Sequence, residues 1–212
     1  MDTPLNHLEN LNITKTIIED CLMHLRNKTY NQLNMALINL LEEILREVER
    51  FITGRSDLTL TSLQVRNIFE LYLITKHVST NQEGLNDWYG QMHKDSIDLQ
   101  NGFMNLFSSH NQDISELHDI QDFINESLAN SPFESKREFN IKNLAIDYDY
   151  LLDYQAIHKL CSKLIHPSSI KINSFKALLE DDNYLNLLII FGVFFCQKIE
   201  VLCQTIKSEK SN

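Results

Sequence analysis

The segment YLNLLIIFGVFFC, Tyr184–Cys196, is apolar around the whole circumference of a helix. A helix without a polar face is buried by neighbours on all sides, whereas a surface helix keeps one polar face. The segment is shorter than the roughly 20 residues that a helix needs to cross a bilayer. We therefore predict that it is the central core helix or part of a dimer interface, and that the protein has no membrane role.

The rest of the chain repeats the helical period on every long stretch. Apolar residues recur three and four positions apart, and the 212 residues include only 5 Gly and 3 Pro. This pattern predicts an all-α protein, a bundle of six to eight helices in which residues 1–212 form a single helical domain. The helices predicted at its centre are Val65–Val78, Asp149–His166 and Tyr184–Ile206.

Helix breakers and capping residues set the predicted bounds of the elements. Gly54 is expected to cap the second helix in a left-handed conformation, and Ser56 or Asp57 is expected to begin the third. Asn86 or Asp87 is expected to cap the fourth. The predicted helices are Leu5–Asn27, Tyr30–Ile52, Ser56–Thr80, Asn86–Phe107, Asp113–Leu128, Asp149–His166 and one from Phe175 or Asp182 to Lys207; the predicted loops are residues 131–139 and 168–173.

The net charge of -10 and the pI near 5.2 limit the classes of partner. A surface that follows nucleic acid over a long track needs clustered Lys and Arg, so only a small local basic site is compatible with this composition. Between Asp95 and Ser135 eight Asp and Glu occur without Lys or Arg, which is typical of a solvated helix face. His118 and Asp122 in this region have the spacing of helical metal ligands, but no metal motif accompanies them. We predict neither a metal nor a cofactor.

Four cysteines lie in apolar helical patterns without any C-x-x-C pair. They are predicted to be small core residues of a protein in a reducing compartment, and not a disulfide framework or a zinc site. The N-terminal residues do not show the pattern of a secretory signal. Together these features predict a cytoplasmic location. The cysteines are Cys21, Cys161, Cys196 and Cys203.

Polar residues interrupt the apolar helix that ends at His166. His158, Ser162 and His166 are spaced four apart, so they lie nearly in line along that helix. Pro167 explains the end of the helix, because proline disfavours the α conformation in the residue before it. A histidine at this end also faces the negative pole of the helix dipole, which is a sufficient structural reason for its presence.

A charged pair interrupts the third helix in the same way. Arg66 and Glu70 are four residues apart within the apolar pattern VRNIFELY. Buried charges are costly unless they are paired with each other or with another polar group. We therefore expect this pair to converge with Ser162 and His166 in one polar cluster.

These residues carry a resemblance to known proteins. The motif RNIFELY, followed by Tyr154 and then by LCSKLIHPS, resembles a family of uncharacterised bacterial helical proteins with the signature Arg-x-x-x-Glu and Ser-x-x-x-His-Pro. That family is distantly similar to the HEPN superfamily of helical bundles. The resemblance spans residues 63–168 and implies a bacterial homodimer that acts as a metal-independent ribonuclease or RNA-processing effector in stress or phage defence.

The resemblance also implies roles for individual residues. His166 would act as an acid or base on the ribose 2′-hydroxyl or the leaving oxygen, and Arg66 or Lys159 would stabilise charge on the phosphate. HEPN ribonucleases carry an Arg that is separated from the His by four to six residues. In this chain Lys159, with six residues between it and His166, takes that place, and lysine lacks a planar two-pronged donor. The candidate catalytic residues are His166, Arg66, Glu70 and Ser162, and the candidate substrate-binding residues are Tyr154, His158 and Lys159.

Two other functions are compatible with the sequence. In the first, the polar cluster only fixes how two helices pack, and the protein is a noncatalytic interaction module that binds another protein through its acidic or apolar helix faces. In the second, the cluster binds a small ligand or a nucleotide. The predicted partners are accordingly a second copy of the chain, an RNA substrate at a local site, or another protein.

Overall fold

The protein is all-α, as the sequence predicts. The computed structural model describes residues 4–81, 83–133, 140–180 and 182–208, and no residue in these ranges belongs to a β-strand. A π-helical segment, Tyr154–His158, joins α7 to α8 without a break. The α-helices are α1 Pro4–Arg26, α2 Gln32–Gly54, α3 Leu58–Thr80, α4 Gly84–Ser109, α5 Ser115–Ala129, α6 Ile141–Asp147, α7 Leu151–Asp153, α8 Lys159–Ile165, α9 Ser169–Asn173, α10 Phe175–Glu180 and α11 Asn183–Ser208.

The first three helices lie within two residues of their predicted bounds. The Asp57 carboxylate caps α3, where its Oδ1 accepts from the backbone N–H of Leu60 at 2.8 Å. The predicted left-handed cap at Gly54 is wrong, because Gly54 is the last residue of α2 and its φ is not positive. The chain instead continues in a right-handed conformation through Arg55, and the N–H of Asp57 donates to the Gly54 carbonyl at 2.9 Å.

The predicted cap of the fourth helix is also wrong, although its start lies within two residues of the prediction. α4 begins at Gly84 with Glu83 before it, so Asn86 and Asp87 lie inside the helix and do not cap it. α5 begins close to its predicted position, after Asp113, whose Oδ1 accepts from the backbone N–H of Ser115 at 3.0 Å. Of the loop predicted at 131–139, residues 134–139 lie outside the described residues.

Two short helices follow where the sequence predicts none. The segment 168–173 contains α9, because the Ser168 hydroxyl accepts from the backbone N–H of Lys171 at 3.2 Å and caps a short helix. α6 precedes the helix predicted at Asp149–His166, and Asp149 separates the two with a φ of 64°. A helix begins at or next to each of the two starts that the sequence predicts for the last helix. α10 begins at Phe175, and α11 begins at Asn183.

The chain divides into two compact units, residues 1–80 with 141–212 and residues 81–140. The single domain over residues 1–212 stays a prediction. In the first unit α3 packs on α11, and the rings of Phe69 and Phe195 lie 4.8 Å apart between their centroids. The absence of a side chain at Gly192 lets the ring of Phe51 from α2 pack against α11. A Cβ added to Gly192 would lie 2.5 Å from Cε1 of Phe51, which is too close for van der Waals contact. All four cysteines are free and buried, which confirms their predicted place in the core.

The second unit contains α4 and α5. The side-chain amide of Gln100 donates to the carbonyl of Leu117 and joins the two helices. Tyr89 stacks on Phe133, with ring centroids 4.6 Å apart and ring planes 17° from parallel. No residue of α5 is buried within the described chain, as expected for a helix with a solvated acidic face.

The last helix, α11, is long and apolar enough by length and composition to cross a membrane. Its mean hydropathy is 1.8 over its most apolar 18-residue window, of which 39% is buried. The buried face of α11 packs against α1 and α3, and the Glu200 carboxylate accepts from the Thr14 hydroxyl at 2.5 Å. The core helix of a soluble protein has the same length and composition, so the absence of a membrane role stays a prediction.

Candidate functional site

The site is built on the α3 face that packs against the segment from α7 to α8. Val65, Ile68 and Phe69 fill the core side of α3 and fix its rotation, so that Arg66 and Glu70 lie at the edge of the packed surface. Nε of Arg66 donates to Oε1 of Glu70 at 2.7 Å, and the two side chains are 27% and 23% exposed. The pair is therefore shielded from water without being sealed from it.

The same carboxylate oxygen reaches across to the second segment. Nε2 of His158 lies 3.0 Å from Oε1 of Glu70, and the His158 side chain is only 15% exposed. One oxygen thus holds a guanidinium and an imidazole beside each other. We call Arg66, Glu70 and His158 the polar triad.

A second contact, with a ring in the same π-helical segment, also orients the imidazole. The π-helical segment Tyr154–His158 begins and ends at two stacked rings, whose centroids are 4.5 Å apart at an angle of 24°. π-Helical turns are rare and occur often at functional sites. With its ring face on Tyr154 and its Nε2 on Glu70, the His158 imidazole has little freedom to rotate.

The surroundings of His158 favour its neutral form. Burial lowers the pKa of His158, the positive charge of Arg66 lowers it further, and the Glu70 carboxylate opposes both effects without cancelling them. A carboxylate can only accept a hydrogen bond, so the neutral ring carries its proton on Nε2. The remaining nitrogen, Nδ1, then has a free lone pair that can accept a proton.

Arg66 keeps donors for a ligand. Only its Nε is used in the triad, and among the described residues no hydrogen bond involves its two Nη nitrogens. These nitrogens form the fork that binds a phosphate with two parallel hydrogen bonds. The triad therefore combines a proton acceptor with a fixed positive charge.

Ser162 and His166 do not join the triad. His166 caps α8, where its backbone N–H donates to the Ser162 carbonyl at 3.2 Å, and its side chain is exposed. In the described part of the chain no hydrogen bond or ion pair links either side chain to Arg66 or Glu70, so the expected convergence is not formed. For His166 the reason is distance along the helix, since eight residues after His158 correspond to a rise of about 12 Å.

The other candidates divide in the same way. Tyr154 belongs to the site through its stacking on His158, whereas Lys159 is exposed on α8. Cys161 is buried behind the triad, and burial raises the pKa of its thiol to about 12, so it is protonated and not nucleophilic near neutral pH. No group of three or more His, Cys, Asp or Glu within the described residues is placed to hold a metal ion.

Sequence reasoning missed the aromatic anchors that align the two segments. The hydroxyls of Tyr72 and Tyr150 lie 3.0 Å apart, and the Tyr148 hydroxyl lies 3.0 Å from Nδ1 of His77. The ammonium of Lys76 lies 4.9 Å and 5.5 Å from the ring centroids of Tyr148 and Tyr150. The motif DYDY at 147–150 is a sequence signal for these anchors. The motif does not indicate that α3 is the helix they contact.

Comparisons of the chain with protein-family models, with curated proteins and with solved structures gave no significant match. The resemblance to HEPN proteins therefore stays a prediction that depends on the motifs alone.

Proposed function

We propose that the polar triad cleaves RNA without a metal, and that the protein is a HEPN-like endoribonuclease or RNA-processing effector. The observation that carries the proposal is the bridging oxygen of Glu70, which holds the Arg66 guanidinium next to the imidazole of His158. A cytoplasmic location, expected from the sequence, and a bacterial setting in stress or phage defence, implied by the resemblance, belong to the same proposal. The all-α fold and the side-by-side packing of α1, α2, α3 and α11 support a HEPN-like bundle.

The triad supplies the groups that this reaction needs. Nδ1 of His158 takes the proton of the ribose 2′-hydroxyl, and the 2′-oxygen then bonds to phosphorus. The bond from phosphorus to the 5′-oxygen breaks, and the imidazolium returns its proton to that oxygen. The Nη nitrogens of Arg66 stabilise the charge that develops on the phosphate oxygens. The products are a 2′,3′-cyclic phosphate and a 5′-hydroxyl.

This assignment moves the base from His166 to His158. Glu70 orients the imidazole of His158, the histidine that the sequence assigned to substrate binding. Tyr154 stacks on the same ring and holds it in place. Lys159 on α8 and His166, the residue after α8, are exposed and are available to contact the RNA backbone.

A noncatalytic interaction module is the second candidate, because α11 presents an apolar face to solvent. Its exposed side chains recur three and four residues apart, as one stripe along the helix. A second copy of the chain covering this stripe would give the expected homodimer, and another protein would give a heterologous complex. The polar triad would then only fix the packing of α3 on α8. The stripe consists of Tyr184, Leu187, Ile190 and Phe194.

The test compares three histidine variants on a panel of structured and single-stranded RNAs in the presence of a chelator. His158→Ala should reduce cleavage by about 10²–10⁴-fold, because it removes the base. His166→Ala should retain most of the activity. The matched control is His110→Ala, since His110 is exposed in the other unit.

Two outcomes would contradict the ribonuclease proposal. Cleavage that is equal in the parent and in His158→Ala would show that the triad is not the site or that the activity is a contaminant. A parent protein that is inert on all RNAs, while light scattering shows a stable oligomer, would favour the noncatalytic module.

A further inference from the structure

A cleft lies between the C-terminal half of α2 and the N-terminal half of α3. Its volume is about 500 Å³, within the range of about 300–1,000 Å³ that small-molecule sites occupy. None of its lining residues belongs to the polar triad. The lining includes Glu47, Arg50, Leu60, Leu63, Gln64 and Asn67.

Gln64 is the unusual residue of this cleft. It is only 4% exposed, and its Oε1 has no hydrogen-bond partner among the described residues. The atom lies near the end of α2, 3.4 Å from the position that a Cβ on Gly54 would occupy. Buried polar groups in native proteins are nearly always paired, so an unpaired amide at a cleft indicates a missing partner. A carboxamide presents a donor and an acceptor in one plane, so a planar group with a complementary edge can pair with both.

Two charged residues of α2 also line this cleft. The Glu47 carboxylate is buried and accepts from Nη1 of Arg50 at 2.5 Å. The Arg50 side chain is 54% exposed and also lies 3.6 Å from Glu43, at the mouth of the cleft. The cleft therefore offers an amide and a carboxylate inside and a guanidinium outside.

Two leucines give the cleft an apolar surface. Leu60 and Leu63 line the cleft and are partly open to solvent, which provides an apolar surface for a flat ring. Asn67 follows Gln64 by one helical turn and adds a second amide. A ring with hydrogen-bonding edges and apolar faces matches this set of groups.

We propose that this cleft binds an amino-bearing nucleobase, with adenine as the best fit. A glutamine amide pairs in two-pronged fashion with the amine and the adjacent ring nitrogen of adenine, and a carboxylate accepts from an exocyclic amine. Arg50 at the mouth is placed for the phosphate of the same nucleotide. The base comes either from a free nucleotide or from an RNA strand, and the site does not depend on the proposed cleavage reaction.

The experiment measures equilibrium binding to the full-length protein by calorimetry. Adenosine and AMP are compared with uridine and UMP, which lack the exocyclic amine. We expect the adenine ligands to bind at least tenfold more tightly than the uracil ligands. We expect Gln64→Leu and Gln64→Glu each to weaken adenine binding at least tenfold. The matched control Gln197→Leu, on the exposed side of α11, should bind like the parent.

Further measurements distinguish a free nucleotide from an RNA strand as the source of the base, and they test whether each variant is folded. Adenine tetranucleotide with 2′-O-methyl groups, which cannot be cleaved, should bind more tightly than AMP if the source is an RNA strand and no more tightly if it is a free nucleotide. His158→Ala should bind adenine like the parent. The folding of each variant is checked by circular dichroism, and in the parent the side-chain amide signal of Gln64 should shift on addition of AMP.

Clear results would overturn the proposal. Equal affinity for adenosine and uridine, or no binding of either at millimolar concentration, would exclude an amino-specific base site. An unshifted Gln64 amide signal, or undiminished adenine binding in a folded Gln64→Leu protein, would exclude this cleft as the place of binding.

Discussion

The substitution Arg66→Met should raise the pKa of His158. Nε of Arg66 and Nε2 of His158 contact the same oxygen of Glu70, at 2.7 Å and 3.0 Å, so the two nitrogens lie within about 6 Å of each other. Two unit charges at this separation repel by about 0.7 kcal/mol in water and by about 3 kcal/mol at an effective dielectric constant of 20. Both side chains are less than a third exposed, which favours the upper part of this range.

A pH titration followed by NMR of the His158 ring measures this effect directly. Methionine keeps most of the apolar stem of arginine and removes the charge that disfavours the imidazolium, so the ring should accept a proton at higher pH than in the parent. Glu70→Gln should have the opposite effect, because the carboxylate is the group that raises the pKa of His158. The matched control is Arg46→Met, since Arg46 pairs with Glu43 on the exposed side of α2. An unchanged pKa in Arg66→Met, or a raised one in Glu70→Gln, would refute the electrostatic account of the triad.

Three further predictions concern stability, measured as the free energy of unfolding in urea. Gly192→Ala should lower the free energy of unfolding by about 1–3 kcal/mol or more, because the added Cβ would overlap the buried ring of Phe51. Gly102→Ala should raise it by about 0.5–1 kcal/mol through helix propensity, because nothing lies within 4 Å of the added Cβ. Gln64→Leu should raise it by about 1–3 kcal/mol without ligand, because it removes an unpaired buried acceptor; a loss would mean that the amide has a structural partner. The lowered pKa of His158 means that the unfolded chain binds a proton at higher pH than the folded chain, so the free energy of unfolding should fall as the pH drops below about 6.5. His158→Gln should flatten that dependence, and an unchanged slope would contradict the assignment.

The helices could be predicted where a long apolar stripe defines them. α2 has such a stripe, and its ends were placed within two residues. α6 was missed because its seven residues form fewer than two helical turns, which is too short for a clear apolar pattern. It was also missed because the left-handed conformation of Asp149, which follows it, is one that aspartate only sometimes adopts. The π-helical segment was missed for another reason. Its sequence, YQAIH, has no distinctive pattern, and its rings are aligned by contacts with α3 that lie far away in the chain.

The triad was half predictable from the cost of buried charge. That cost places Arg66 and Glu70 together, because a pair four apart on one helix can satisfy itself locally. It cannot identify the third member. Spacing along one helix shows that His158 and His166 share a face, but the register of that helix against α3 depends on Tyr148 and Tyr150, which anchor the preceding turn.

The ion pair itself determines which histidine the guanidinium meets. The segment 148–158 runs antiparallel to α3, since Tyr148, Tyr150 and His158 contact successively earlier positions of that helix. Arg66 donates to Glu70, which lies one turn toward the C-terminal end of α3. Because the two segments run in opposite directions, that turn carries the guanidinium toward His158 and away from His166. Glu70 therefore does more than neutralise a charge: its position relative to Arg66 selects the histidine that shares the site.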